Sequence, residues 1–139
     1  MRKVYVCSPL RAATPEEQEK NRLSAIGYCE MVSAMFEDVK AVAPHGYFPL
    51  LLDDSIPQER VLALDFGLKL LELCKALFVC GTYISIGMKG EILCASELGI
   101  PIYVQELPRL GDVTDLVCEH NGTSQIKSFY EALYEGARK

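Results

Sequence analysis

The sequence predicts a three-layer α/β/α fold on a doubly wound parallel sheet of four or five strands, and three observations predict it. Apolar runs of strand length alternate with segments of helical period along the whole chain. Runs such as "ALFVCG" are apolar on both faces, the pattern of strands covered on both sides. No repeat, linker or low-complexity tract divides the 139 residues, so a single domain over 1–139 is the economical reading.

The first strand is expected from about Lys3 to Cys7. Thr14-Pro15-Glu16-Glu17 then supplies an N-cap, a proline at the first helical position and acids in the first turn, so a long helix should run to about Phe36. A second strand near Val39 to Ala43 ends at Pro44. The loop "PHGYFPLLLDDSIP" precedes a helix from about Gln58 to Leu73, and "ALFVCG" follows as the third strand. A glycine-bearing loop leads to a helix from about Gly87 to Leu98, with Gly99 as its stop, and Ile102 to Val104 is the fourth strand. "LPRLGDVTDLVCEHNG" is read as a connection that could hold a short fifth strand, and a helix from about Ser124 to Gly136 closes the chain. The flavodoxin-like order 2-1-3-4-5 is the simplest topology for this series. It would gather Ser8 to Arg11, Gly81 to Glu91, and Gln105 with Glu106 at the carboxyl edge of the sheet, where such folds bind ligands, with His45 arriving from strand two.

Composition narrows the function classes. A net charge of -5 argues against broad binding to nucleic acid or to an anionic membrane, because both need a basic surface. A small discrete ligand fits better. No stretch approaches the length of a spanning helix, and "MRKVYVCSPL" turns polar too early for a signal peptide, so a cytoplasmic protein is expected. The six cysteines sit singly in apolar runs and read as free thiols. With two histidines and no Cys/His cluster, neither a metal site nor any other cofactor is expected.

Helical phase singles out the polar residues. Counted from Met88 at 100° per residue, Ile92, Ala95 and Leu98 fall at about 40°, 340° and 280°, and Glu91 falls among them at about 300°. A carboxylate on the apolar arc of the helix is therefore expected to turn toward the sheet, the alternative being a solvated residue interacting with the helix start. Asn21 heads the stripe Ala25, Tyr28, Val32 and Met35, and such an amide either bonds nearby backbone or faces a ligand. Asp65 shares an arc with Gln58, Lys69 and Glu72 and by phase alone looks like a solvated partner of Lys69. The rest of that helix is apolar almost all round, which predicts a homodimer or higher homo-oligomer through helix 58–73. Gly81 to Lys89 lacks the spacing of a phosphate-binding P-loop, and "CSPLRAA" lacks the glycines of a dinucleotide fingerprint.

"VYVCSPLR", "APHGYFPLLLDD", "LLELCKALFVCG" and "ISIGMKGEILCASELGIPIYV" resemble a small bacterial and phage family of unknown function among the nucleoside 2-deoxyribosyltransferase-like proteins. The resemblance implies an active site at Tyr5, Asp65 and Glu91. Ser85-Ile86-Gly87 followed by Glu91 is similar to the Ser-x-Gly-x-x-x-Glu pattern of the 2-deoxynucleoside 5-phosphate N-hydrolases, which implies a nucleotide substrate. Pro9 and Lys75 depart from the family pattern.

On that resemblance Glu91 is the nucleophile toward the anomeric carbon, Tyr5 orients it and Asp65 serves the departing base. Ser8, Arg11 and Ser85, with the backbone N–H groups from Gly87 through Met88 to Gly90, are expected to hold a 5-phosphate, while Asn21 and His45 border the substrate. The expected activity is cleavage of the bond between nucleobase and (deoxy)ribose of a nucleoside 5-monophosphate. The alternatives are a nucleotide-binding or sensing module without turnover and a nucleoside deoxyribosyltransferase.

Overall fold

Val4 and Val6 point to one face of the first strand and Tyr5 and Cys7 to the other, and this alternation divides the core in two. The structure, a computed structural model, describes residues 2–137. Five strands form one parallel sheet in the order β2-β1-β3-β4-β5: β1 (Arg2–Cys7), β2 (Val39–Val42), β3 (Leu77–Val79), β4 (Ile102–Val104) and β5 (Ile126–Ser128). Tyr5 pairs with Val42 on one side and Leu77 on the other, so β1 is central. The expected topology is the observed one.

Helices α2 (Pro57–Glu72), α3 (Ile86–Leu98) and α4 (Leu107–Glu119) cover the face that carries Tyr5 and Cys7, where Leu71, Met88, Ile92, Ala95, Val113 and Val117 pack together. Helices α1 (Pro15–Met35) and α5 (Phe129–Ala137) cover the other face. There Phe36, Phe78 and Phe129 pack edge to face, with centroids 5.0 to 6.0 Å apart. The α1 start is as expected: Thr14 accepts a hydrogen bond from the Glu17 amide, and Pro15 opens the helix. Gly99 closes α3 in the left-handed region at φ 71°.

Two expectations near the C-terminus are corrected. The segment read as a connection with a possible strand is helix α4, and β5 lies inside the stretch expected to begin the last helix, which starts instead at Phe129. In α4, Pro108 sits at the helix start, and Leu110, Val113 and Val117 recur every three or four residues to form the buried stripe. The β5 segment has only three residues, and its conformation comes from pairing with β4, Ile102 opposite Ile126. No local pattern announces it.

Helix α2 buries Gly67 and Leu71 toward the sheet and leaves Val61, Leu62, Leu64, Phe66 and Leu68 exposed, as is Leu73 at its C-cap. Among the described residues, no helix is long and apolar enough to cross a membrane.

Candidate functional site

Strand β1 delivers Tyr5 and Cys7, and the residue after it Ser8, to the carboxyl edge of the sheet, and all three side chains are buried. Helix α3 begins beside them. Its first turn is fixed by Ser85, whose Oγ accepts from the Met88 amide at 3.3 Å while the Ser85 amide donates to Met88 Sδ at 3.4 Å. This cap sets the helix phase, and the buried positions become Met88, Glu91, Ile92, Ala95 and Ser96.

Glu91 is therefore turned inward, with 8% of its surface exposed. Both of its carboxylate oxygens are buried, and neither makes a hydrogen bond of normal geometry. The Tyr5 hydroxyl and the Cys7 thiol lie near enough to favour its ionised form without forming such a bond, so Tyr5 stands beside the acid, where orientation by a hydrogen bond was expected. Desolvation dominates and raises the Glu91 pKa above its ordinary value, against the opposing pull of His45, Tyr5 and Cys7. The helix begins at Ile86, which puts Glu91 in the second turn, where the macrodipole has weakened. The pull that opposes burial thus comes from neighbouring side chains.

His45 enters from a short 3-10 turn after β2, Pro44–Gly46. Its Nδ1 lies 3.0 Å from the Ser8 carbonyl oxygen, and a carbonyl only accepts, so Nδ1 carries the hydrogen. The other nitrogen, Nε2, faces Glu91 Oε1 at 3.9 Å. The Ser8 hydroxyl oxygen is buried without a partner. Among the described residues the buried side-chain oxygens lacking a partner are Ser8 Oγ, both of Glu91 and Ser96 Oγ, and all but the last lie in this cluster. Burial raises the Tyr5 hydroxyl and Cys7 thiol well above their ordinary pKa values, and the Glu91 charge adds to the effect.

The remaining candidates divide. Asn21 donates from Nδ2 to the Leu10 carbonyl at 3.1 Å, so it shapes the loop after β1. Arg11, on that loop, is largely exposed and pairs through Nε with Asp54 Oδ2 at 3.0 Å. Ser85 spends one of its two lone pairs on the cap and keeps a hydroxyl hydrogen to donate. Of the amides expected to be free, that of Met88 is held by Ser85 Oγ and that of Lys89 by the Ser85 carbonyl. Gly90 is the fifth helical residue and belongs to the hydrogen-bond ladder, which leaves Gly87 alone at the exposed helix start. Asp65 is not brought to the cluster. It is exposed, pairs with Lys69 at 3.2 Å, and stands on the far side of α2 from Gly67, as its phase suggested.

Gly67 was not singled out by sequence, yet it sets how closely α2 approaches the cluster. A Cβ at this position would lie 3.2 Å from the Tyr5 hydroxyl. Cys7 was also missed as a neighbour of Glu91, although its spacing of two from Tyr5 on one strand was the available signal. A cavity of about 530 Å³ opens at the opposite, amino edge of the sheet, walled by Phe36, Phe78 and Tyr103 with Arg2 and Lys75 among its lining, and shares no residue with the Glu91 cluster. Among the described residues no three His, Cys, Asp or Glu side chains converge so as to hold a metal ion.

The family model described as Domain of unknown function (DUF7768) matches residues 2–105. This span takes in β1 through β4 and hence every residue of the cluster. No curated protein matches the chain. Among solved structures, the "Crystal structure of conserved protein from Enterococcus faecalis V583" is similar with a TM-score of 0.58 and 18% identity, over 99% of this chain and 98% of that one. At that identity the likeness is one of fold.

Proposed function

The chain belongs to the DUF7768 family, and from that premise we propose that it is an N-glycosidase-type enzyme cleaving the bond between base and sugar of a nucleoside 5′-monophosphate. The observation that carries the reading is the set of buried oxygens without partners, Ser8 Oγ and both oxygens of Glu91, at the ligand-binding edge of a parallel sheet. A structure holds such groups unpaired at a cost of about 1–3 kcal/mol each, and a polar ligand that satisfies them recovers it. The resemblance of Ser85, Gly87 and Glu91 to the Ser-x-Gly-x-x-x-Glu pattern of nucleoside 5-phosphate N-hydrolases supports the choice of ligand.

In the first step an ionised Glu91 oxygen bonds to the anomeric carbon as the bond to the base nitrogen breaks. The bonding pair leaves with the base, which takes up one proton. In the second step water adds to the anomeric carbon, Glu91 departs as carboxylate, and the water proton is released, so the sum is hydrolysis. His45 is suited to hold the moving proton, because its Nδ1–H is fixed on Ser8 and Nε2 is left to face Glu91. A second nucleobase in place of water makes the same intermediate a transferase. Arg11 and the Ser85 hydroxyl serve the phosphate from the rim.

Chromatography of each deoxynucleoside monophosphate after incubation with the protein tests the proposal. Free base released by the native chain and not by Glu91→Gln is the expected result. Binding without release by both proteins would replace the enzyme with a nucleotide-binding module. The outward position of Asp65 favours that second reading, since it leaves the leaving base without a carboxylic acid from α2. The exposed apolar side chains of α2 support assembly as a homodimer or higher oligomer through this helix.

A further inference from the structure

We infer that Asp54 is a built-in counter-anion, seated on Arg11 and Arg60, which a phosphate group must displace to bind. The inference rests on the nucleotide reading above and concerns the selectivity of the same site. Arg11 lies three residues beyond Ser8, on the loop leaving β1, and Asp54 Oδ2 receives its Nε at 3.0 Å. The same oxygen stands 3.9 Å from Arg60 Nη1, in the first turns of α2. One carboxylate oxygen thus faces two guanidinium groups, one from the loop after β1 and one from α2. Arg60 and Gly67 are seven residues apart, hence on one stripe of α2 with a separation of about 10 Å along the axis. The arginine pair therefore sits at the rim of the edge whose floor holds Tyr5 and Glu91.

Asp54 is the acid of its loop that is committed to the arginines. Asp53 accepts from the Ser55 amide at 2.9 Å and the Ser55 hydroxyl at 2.6 Å, and Glu59 accepts from the Asp53 amide at 3.2 Å. These bonds fold the turn before α2 and hold Asp54 in place. Two guanidinium groups converge on one carboxylate oxygen, and a phosphomonoester dianion, with three acceptor oxygens, can engage both more fully than a carboxylate does. Both arginines and Asp54 remain partly exposed, so the exchange needs no opening of the core. A ligand without phosphate gains nothing by displacing Asp54, and the contact thereby discriminates nucleotide from nucleoside.

The test is calorimetric titration at low ionic strength with inorganic phosphate, a deoxynucleoside 5′-monophosphate and its parent nucleoside. The proteins are the native chain, Asp54→Asn, Asp54→Ala and the double variant Asp54→Asn with Arg60→Gln. Both Asp54 variants should bind phosphate and nucleotide about 1.5- to fivefold more tightly, the span of an exposed ion pair, with nucleoside affinity unchanged. The Arg60 substitution should reverse the gain. Phosphate affinity that is unchanged or weaker in both Asp54 variants overturns the inference, as does a gain that survives loss of Arg60. Base release is followed in parallel. Tighter phosphate binding with no base released sinks the glycosidase reading and leaves this one standing. Base release with a phosphate affinity indifferent to Asp54 does the reverse.

Discussion

His45 Nε2 and Glu91 Oε1 face each other at 3.9 Å, too far for a hydrogen bond and close enough for each to feel the other's charge. The imidazole is held from behind by the Ser8 carbonyl, so it cannot turn away. When protonated it lowers the Glu91 pKa, against the desolvation that raises it.

Replacing His45 with Asn removes that charge together with the proposed proton carrier. Base release should fall about 10²-fold or more. The acidic limb of the pH profile, set by Glu91 ionisation, should move to higher pH because desolvation is then less opposed. A profile of kcat/KM against pH for both proteins measures it, and an unmoved limb would uncouple the two residues.

Glu91→Gln should abolish base release and stabilise the fold at neutral pH. The folded-state pKa of Glu91 lies above its ordinary value of 4.5. The folded state therefore holds the proton more tightly, and its advantage is full below that value and lost as pH rises through the folded pKa. Above that range the native chain carries a buried charge that glutamine lacks. A gain in Tm of several degrees near pH 8 should shrink toward zero near pH 4, and thermal melts across this range read it directly.

Gly67→Ala separates packing from chemistry. Alanine favours the helix by about 1 kcal/mol over glycine, while its Cβ would stand 3.2 Å from the Tyr5 hydroxyl and crowd it. Tm should hold or rise slightly as kcat drops, because Tyr5 must shift beside Glu91. Full activity in this variant would show that the α2 contact on Tyr5 has no part in the site.

Leu62→Glu puts a charge into the exposed apolar flank of α2. Sedimentation should show the native chain as a dimer or larger and this variant as smaller, and the variant's Tm should lose the dependence on protein concentration that the native assembly shows. A native monomer at micromolar concentration would remove the assembly proposal.

Much of this was legible in the sequence. The alternation of apolar runs with helical segments carried the strand order, and the phase of α3 turned Glu91 inward, both because periodicity is a local property of the chain. Leu98, placed on the same arc, is 42% exposed, whereas Ser96 is buried against the turn at Gly122. That turn comes from a distant part of the chain, and no phase count includes it. The short β5 has the same origin, since three residues become a strand only where an edge is waiting for them, whereas α4 carried its own helical period in Leu110, Val113 and Val117.

By itself the sequence determined the layers, the central place of β1, the inward turn of Glu91 and the outward turn of Asp65, because each follows from side-chain spacing within one element. Only the tertiary structure decided that Nε2 of His45 meets Glu91, that Ser8 and Glu91 are left without partners, that Gly67 lies under Tyr5, and that Asp54 joins Arg11 to Arg60. These relationships link side chains from separate elements, and angstrom-scale distances between them are fixed by how the layers pack.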